Sequence, residues 1–153
     1  MKKKLKESII SKDEAAFWLD KKGCWNNVHG EFEHKKIIDY FHTSIKKDKD
    51  GYYLGQTNGN NKEKVYFHFE DTALFVFDVI KDKDIILVLN TKKKIKIRPQ
   101  KLFIKDDNLY MQVGEEQIKF TERGLVKISN LIECDNDRYF IRVNNRRYKI
   151  PKL

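Results

Sequence analysis

The chain nearly repeats itself at an offset of 87 residues. Ile38, Phe41, Ile45, Asp48, Asp50, Tyr52, Tyr53 and Leu54 find counterparts in Leu125, Ile128, Ile132, Asp135, Asp137, Tyr139, Phe140 and Ile141. Each series reads as an apolar stripe at helical spacing, an acidic turn and an aromatic strand start. Self-similarity at a fixed offset marks a duplicated supersecondary unit. The expected fold is therefore α+β, with two lobes built from a duplicated hairpin-helix-hairpin unit and mostly antiparallel strands. The first lobe is expected over residues 1–80, with 1–12 as a flexible basic lead, and the second over 81–153.

Local patterning fills in this plan. Ala15, Phe17 and Leu19 alternate with Ala16, Trp18 and Asp20 before the turn Lys21-Lys22-Gly23 leads to Cys24 and Trp25, a hairpin. A helix is expected over about 34–46, buried through Ile37, Ile38, Phe41 and Ile45 and stopped before Gly51. Strands at 52–56 and 64–69 flank an Asn- and Gly-rich loop, 57–61. Residues 74–80 and 85–89 are apolar on both faces, as central strands are. A one-sided strand follows at Ile95 and Ile97, with Lys94, Lys96 and Arg98 outward. The second unit reads as strands 109–113 and 117–120, a helix over about 122–133 behind Thr121 as N-cap, and a hairpin turning at Asn144-Asn145.

Composition narrows the function classes. At 153 residues with 40% hydrophobic content, the chain can bury a core without staples. Its longest apolar runs, Ile85 to Leu89 among them, are far short of the ~20 residues of a membrane helix, and the basic start has no signal-peptide core, so the expectation is cytoplasmic without membrane insertion. Cys24 and Cys134 form no metal or disulfide pattern, and the four histidines have no ligand spacing, so no metal and no cofactor are expected. No nucleophile elbow and no phosphate loop occur, and the chain reads as non-enzymatic. The formal net charge of +9 favours anionic partners, with background composition as the competing explanation.

Gly23-x-Trp25, Phe32, Ile37-Ile38, Phe41, Ile45, Asp50-Gly51-x-Tyr53-Leu54, Glu63-Lys64 and Phe69-Glu70-Asp71 together resemble bacterial domain-of-unknown-function family 1285. The resemblance covers roughly residues 17–77 and extends loosely through Leu89-Asn90-Thr91 and the segment 124–132. Lys22 stands where the family turn has aspartate, and Thr72-Ala73-Leu74-Phe75 replaces its Ala-Pro-Phe segment. The resemblance implies a duplicated core, a C-terminal lobe superficially like a pleckstrin-homology fold, and a nucleotide-like ligand between lobes in a signalling role.

The candidate ligand-binding residues are Trp25, Glu70, Asp71, Thr91, Arg98 and Arg147. Trp25 would stack on a planar ligand or fill the core. Glu70 and Asp71 would meet a cation or a ribose hydroxyl, although strand neighbours face opposite ways and Asp71 equally suits a turn. Arg98 belongs to a basic strand face with Lys94 and Lys96, and Arg147 to a cluster with Arg142, Arg146 and Lys149, where guanidinium groups near Tyr139 and Tyr148 would suit a phosphate with a stackable base. The leading reading is a ligand-binding or regulatory module. The alternatives are a nonspecific nucleic-acid-binding protein that uses the basic faces, and a protein-interaction scaffold.

Overall fold

The computed structural model describes residues 6–153, so the first five residues of the expected basic lead lie outside the described residues. The chain forms two compact units, Met1–Ala73 and Leu74–Leu153. The division falls before residue 74 rather than after residue 80, because the strand that begins at Leu74 pairs only within the second unit.

The first unit runs β1 (Lys6–Ile10), β2 (Phe17–Leu19), β3 (Trp25–Asn27), β4 (Gly30–Glu31), α1 (Lys35–Thr43), β5 (Ile45–Asp48), β6 (Gly51–Asn58), β7 (Asn61–Tyr66) and β8 (His68–Phe69). Two four-stranded sheets result, in the orders β1-β7-β6-β5 and β4-β3-β2-β8. Where a flexible lead was expected, β1 instead pairs in parallel with β7, from Lys6 beside Asn61 to Ile10 beside Val65. The outer edge of β7 offers unpaired backbone groups, and Ser8-Ile9-Ile10 suits an extended strand.

Helix α1 is shorter than the apolar stripe suggests. Ile38, Phe41 and His42 are its covered residues, whereas Ile37 is 45% exposed and Ile45 opens β5. Ser44 ends the helix by donating its hydroxyl to the Tyr40 carbonyl at 2.6 Å. Lys46 and Lys47 then pair with Tyr53 and Tyr52. The expected loop 57–61 is a tight hairpin closed by the Asn58–Asn61 pair, with Gly59 at φ 60°. The single strand expected over 64–69 breaks at Phe67. That ring is buried, and the chain passes there from one sheet to the other, β8 pairing in parallel with β2.

The second unit begins with β9 (Leu74–Lys81), β10 (Ile85–Leu89) and β11 (Lys94–Lys96), followed by a short 3-10 turn at Pro99–Lys101. Next come β12 (Leu102–Lys105), β13 (Asn108–Val113), β14 (Glu116–Phe120) and α2 (Glu122–Ile128). A 3-10 turn at Ser129–Leu131 leads into β15 (Ile132–Asp135), β16 (Arg138–Val143) and β17 (Arg146–Ile150). A six-stranded sheet has the order β11-β10-β9-β14-β13-β12, and β15-β16-β17 form a second sheet. Only the β9–β14 pairing of named strands is parallel in this unit. This mostly antiparallel lobe with one α-helix fits the expected superficial pleckstrin-homology likeness.

The duplication is visible in element order and register. Each α-helix follows a three-stranded meander, β2-β3-β4 or β12-β13-β14, and precedes another, β5-β6-β7 or β15-β16-β17. Strands β5 and β15 start 87 residues apart, as do β6 and β16. Asn144 and Asn145 take the expected left-handed turn at φ 51° and 63°. Asp106-Asp107 and Asn136-Asp137 turn the chain in the same way.

Thr121 caps α2 as expected. Its hydroxyl accepts from the Gly124 amide at 3.2 Å and donates to the Val76 carbonyl at 2.9 Å, tying the helix start to β9. A Cβ on Gly124 would lie 2.6 Å from that carbonyl oxygen. Alanine favours a helix over glycine by about 1 kcal/mol, but here it must displace an oxygen that also accepts from the Thr121 amide. Gly124→Ala is expected to destabilise the protein by a net ~2 kcal/mol in denaturant titration. A variant as stable as the parent would show that helix and strand do not approach this closely.

Candidate functional site

Trp25 is 1% exposed, at the centre of a ring cluster. Phe17 of β2, Phe41 of α1 and Phe67 lie edge-on to it at 5.7, 5.4 and 5.0 Å between centroids. Its indole N–H donates to His42 Nδ1 at 3.2 Å. The core-filling reading therefore holds, and the ring has no free face for a ligand. Glu70 accepts from the Lys21 amide at 2.9 Å and so clasps the β2–β3 turn. Asp20, which the sequence reading passed over, organises that turn by accepting from the Lys22 and Cys24 amides at 2.8 and 3.0 Å and from the Asn26 side chain at 2.9 Å. Asp71 lies half-buried in the bend after β8.

Thr91, Arg98 and Arg147 belong to the second unit. Thr91 sits in the β10–β11 turn, its hydroxyl 3.5 Å from the Lys93 amide. Arg98 is exposed just past β11, and its amide donates to Met111 Sδ at 3.4 Å. Arg147 is exposed on β17 and engaged with Glu133 and Asp135 at 3.4 and 3.5 Å.

A different set of residues makes a hollow. A groove of about 670 Å³ opens in the first unit, lined by the end of β1, Ser11-Lys12, the β5–β6 turn and the chain from Tyr66 to Phe69. Its apolar lining includes Ile9, 63% exposed, and Phe69, 39% exposed. The Tyr52 ring meets Phe69 edge-on at 5.6 Å, and Lys47 Nζ lies 5.2 Å from the Tyr52 centroid. Lys12, Lys47, Asp50 and His68 supply polar groups to the lining. The sequence signal for this site was the alternation of β7 and β8, but it was hidden because a continuous strand through Phe67 would have put Phe69 into the core.

His68 Nε2 lies 2.8 Å from Asp13 Oδ1, with the two side chains 54% and 85% exposed. No hydrogen bond joins His68 to Ser11 among the described residues. No group of three or more His, Cys, Asp or Glu side chains among the described residues is arranged to hold a metal ion. No helix among them is long and apolar enough to cross a membrane. Burial pushes the Cys24 thiol up to about 11, away from the reactive thiolate range.

No protein-family model matches the chain, and no curated protein matches it. Among solved structures, the chain is similar to a DUF1285 family protein from Silicibacter pomeroyi DSS-3, with a TM-score of 0.60 at 9% identity, over 94% of this chain and 82% of that chain. That is a DUF1285 fold. A DUF1285 family protein from Shewanella baltica os155 aligns with a TM-score of 0.48 at 16% identity, over 70% of this chain and 84% of that chain. The likeness to the Silicibacter pomeroyi protein matches the DUF1285 resemblance at the level of the fold.

The buried Trp25–His42 pair has a consequence for stability. Burial lowers the His42 pKa from 6.5 to about 4, with Asp39 opposing the shift only partly. Between those values the unfolded chain binds more protons than the folded one, so stability is full above about pH 6.5 and declines as the pH falls toward 4. The loss amounts to about 3 kcal/mol at most. Thermal melts from pH 7.5 to 4.5 are expected to show it, with Trp fluorescence reporting the lost N–H contact. His42→Gln should flatten the dependence, and an unchanged slope in that variant would assign the effect to other groups.

Proposed function

We propose that this chain is a non-enzymatic ligand-binding module of a regulatory or signalling kind, and a diverged member of family 1285. Its ligand is a planar, anionic, nucleotide-like small molecule, held in the groove of the first unit. The observation that carries this reading is the pairing of the exposed Phe69 ring and the half-buried Tyr52 ring with the cations Lys12 and Lys47 in one hollow. Its volume of about 670 Å³ falls in the range of small-molecule pockets. A base or similar ring would lie against the aromatic wall, and its phosphate would meet the ammonium groups. The openness of the His68–Asp13 pair supports binding over chemistry, since general acid-base groups work best out of bulk water.

A thermal-shift screen tests the proposal. A ligand at a hundred times its Kd adds about 2.7 kcal/mol, which should raise the melting temperature by roughly 5–10 °C for a chain of this size. Purine nucleotides or related phosphorylated compounds are expected to give such a shift. Phe69→Ala and Lys12→Gln should cut it by more than half. Lys12→Gln should leave the unliganded protein within ~1 kcal/mol of the parent, whereas Phe69→Ala should cost about 1–3 kcal/mol, so each shift is read against the variant's own unliganded melt. Trp25→Ala would instead cost about 3–5 kcal/mol of folding stability and says nothing about the ligand. A broad nucleotide library without a shift, or shifts that survive both groove substitutions, would end this reading.

A further inference from the structure

The open face of the β15-β16-β17 sheet carries an arrangement that the groove does not use. Arg138, Phe140 and Arg142 alternate along the central strand and so point to one side. Phe140 stands opposite Glu133 on one flank and Lys149 on the other, while Arg142 stands opposite Arg147. Arg147 Cζ lies 3.6 Å from the Phe140 ring centroid. At that distance the guanidinium must lie flat on the ring, because an edge-on group would drive a nitrogen into the carbons.

Two carboxylates fix the guanidinium in that plane. Arg147 Nε lies 3.4 Å from Glu133 Oε2, and Nη2 lies 3.5 Å from Asp135 Oδ2. Arg142 Nε holds the other Glu133 oxygen at 2.8 Å, and this pairing keeps the Glu133 carboxyl below its usual range and therefore charged. With its edge committed to carboxylates and one face on Phe140, Arg147 offers its remaining π-face outward, and its side chain is 38% exposed. Arg138 and Lys149 are exposed nearby, so four cations stand against two carboxylates on this face.

We propose that this face binds single-stranded nucleic acid, with a base stacked on the outer face of Arg147 and phosphates drawn to Arg138, Arg142 and Lys149. An acidic peptide would compete for N–H edges that Glu133 and Asp135 already occupy. A base needs only the π-face, and every base has one to offer. Duplex is disfavoured because its bases are stacked on each other and leave no free π-face for Arg147. The partner aromatic is Phe140, not Tyr139 or Tyr148, because those two lie on the opposite side of the sheet with Ile141 and Ile150.

The test is fluorescence anisotropy with labelled single-stranded DNA and RNA oligonucleotides at low salt, with duplex of equal length, heparin and polyglutamate alongside. Single strands are expected to bind more tightly than duplex, with affinity falling as salt rises. Arg147→Lys keeps the charge and removes the plane, and is expected to weaken single-strand binding at least about fivefold. Arg138→Gln should reduce the salt dependence by about one phosphate contact. Melting temperatures of both variants confirm that they are folded, and Arg138, being exposed, keeps the test open if Arg147→Lys unfolds the sheet. Absent binding, duplex or polyglutamate bound as tightly as single strands, Arg147→Lys folded and binding like the parent, or an unaltered salt slope in Arg138→Gln would each overturn the proposal. These substitutions leave every groove residue intact, so their outcome is separate from that of the nucleotide screen.

Discussion

The first unit depends on the burial of Trp25. The indole meets Phe17 from β2, Phe41 and His42 from α1, and Phe67 from the link between β7 and β8. A single side chain thus gathers a helix, a hairpin and the passage between two sheets. Aromatic pairs of this edge-on kind are worth about 0.5–1.5 kcal/mol each beyond area burial. The indole N–H, which would be costly to bury alone, is satisfied by His42, and His42 must remain neutral to accept it. A polar pair in an apolar cluster thereby sets which residue of α1 faces inward, and Ile37 is left at the surface.

The groove follows from the same constraint. Because Phe67 is drawn into the Trp25 cluster, the chain cannot continue in the sheet of β7, and His68–Phe69 emerges beside β2 instead. The step between the two sheets leaves Phe69 partly uncovered, with Tyr52 against its edge. Strand β1, added along β7, brings Ile9 and Lys12 to the other wall. An exposed aromatic is thus a by-product of core packing, and the residues best placed for a ligand are neighbours of the core residues rather than members of the core.

The repeat was legible because strand starts and turn residues keep their spacing, and helix lengths were not. Ile45 and Ile132 continue an apolar stripe at helical spacing, yet both open strands. A stripe cannot show that Ser44 folds its hydroxyl back on the helix, or that the chain after Ile128 tightens into a 3-10 turn. Strand β12 went unread because its turn, Asp106-Asp107, relies on two aspartates in the left-handed region, a weaker signal than asparagine-glycine. The chemistry was less legible still. Trp25 and Glu70 are conspicuous in sequence, but the structure commits their side chains to packing and to a turn, whereas Arg147 is held at its edge by ion pairs and keeps one face open.

Comparing the two meanders shows how one device serves two ends. In the second, Arg147 of the third strand covers Phe140 of the middle strand and is held by Asp135 of the first. In the first, Lys64 of the third strand lies 5.0 Å from the ring centroid of Tyr53 in the middle strand and is held at 3.2 Å by Asp48 of the first. There the cation is also claimed by Glu7 of β1, and Asp48 accepts from the Tyr66 hydroxyl at 2.7 Å. Lysine presents a point charge that these partners consume, whereas arginine is planar and keeps a π-face after its edge is satisfied. β1 closes the first copy as a clamp on an added strand. In the second, β17 remains the last strand of its sheet, and the same cation-on-ring contact stays open to solvent.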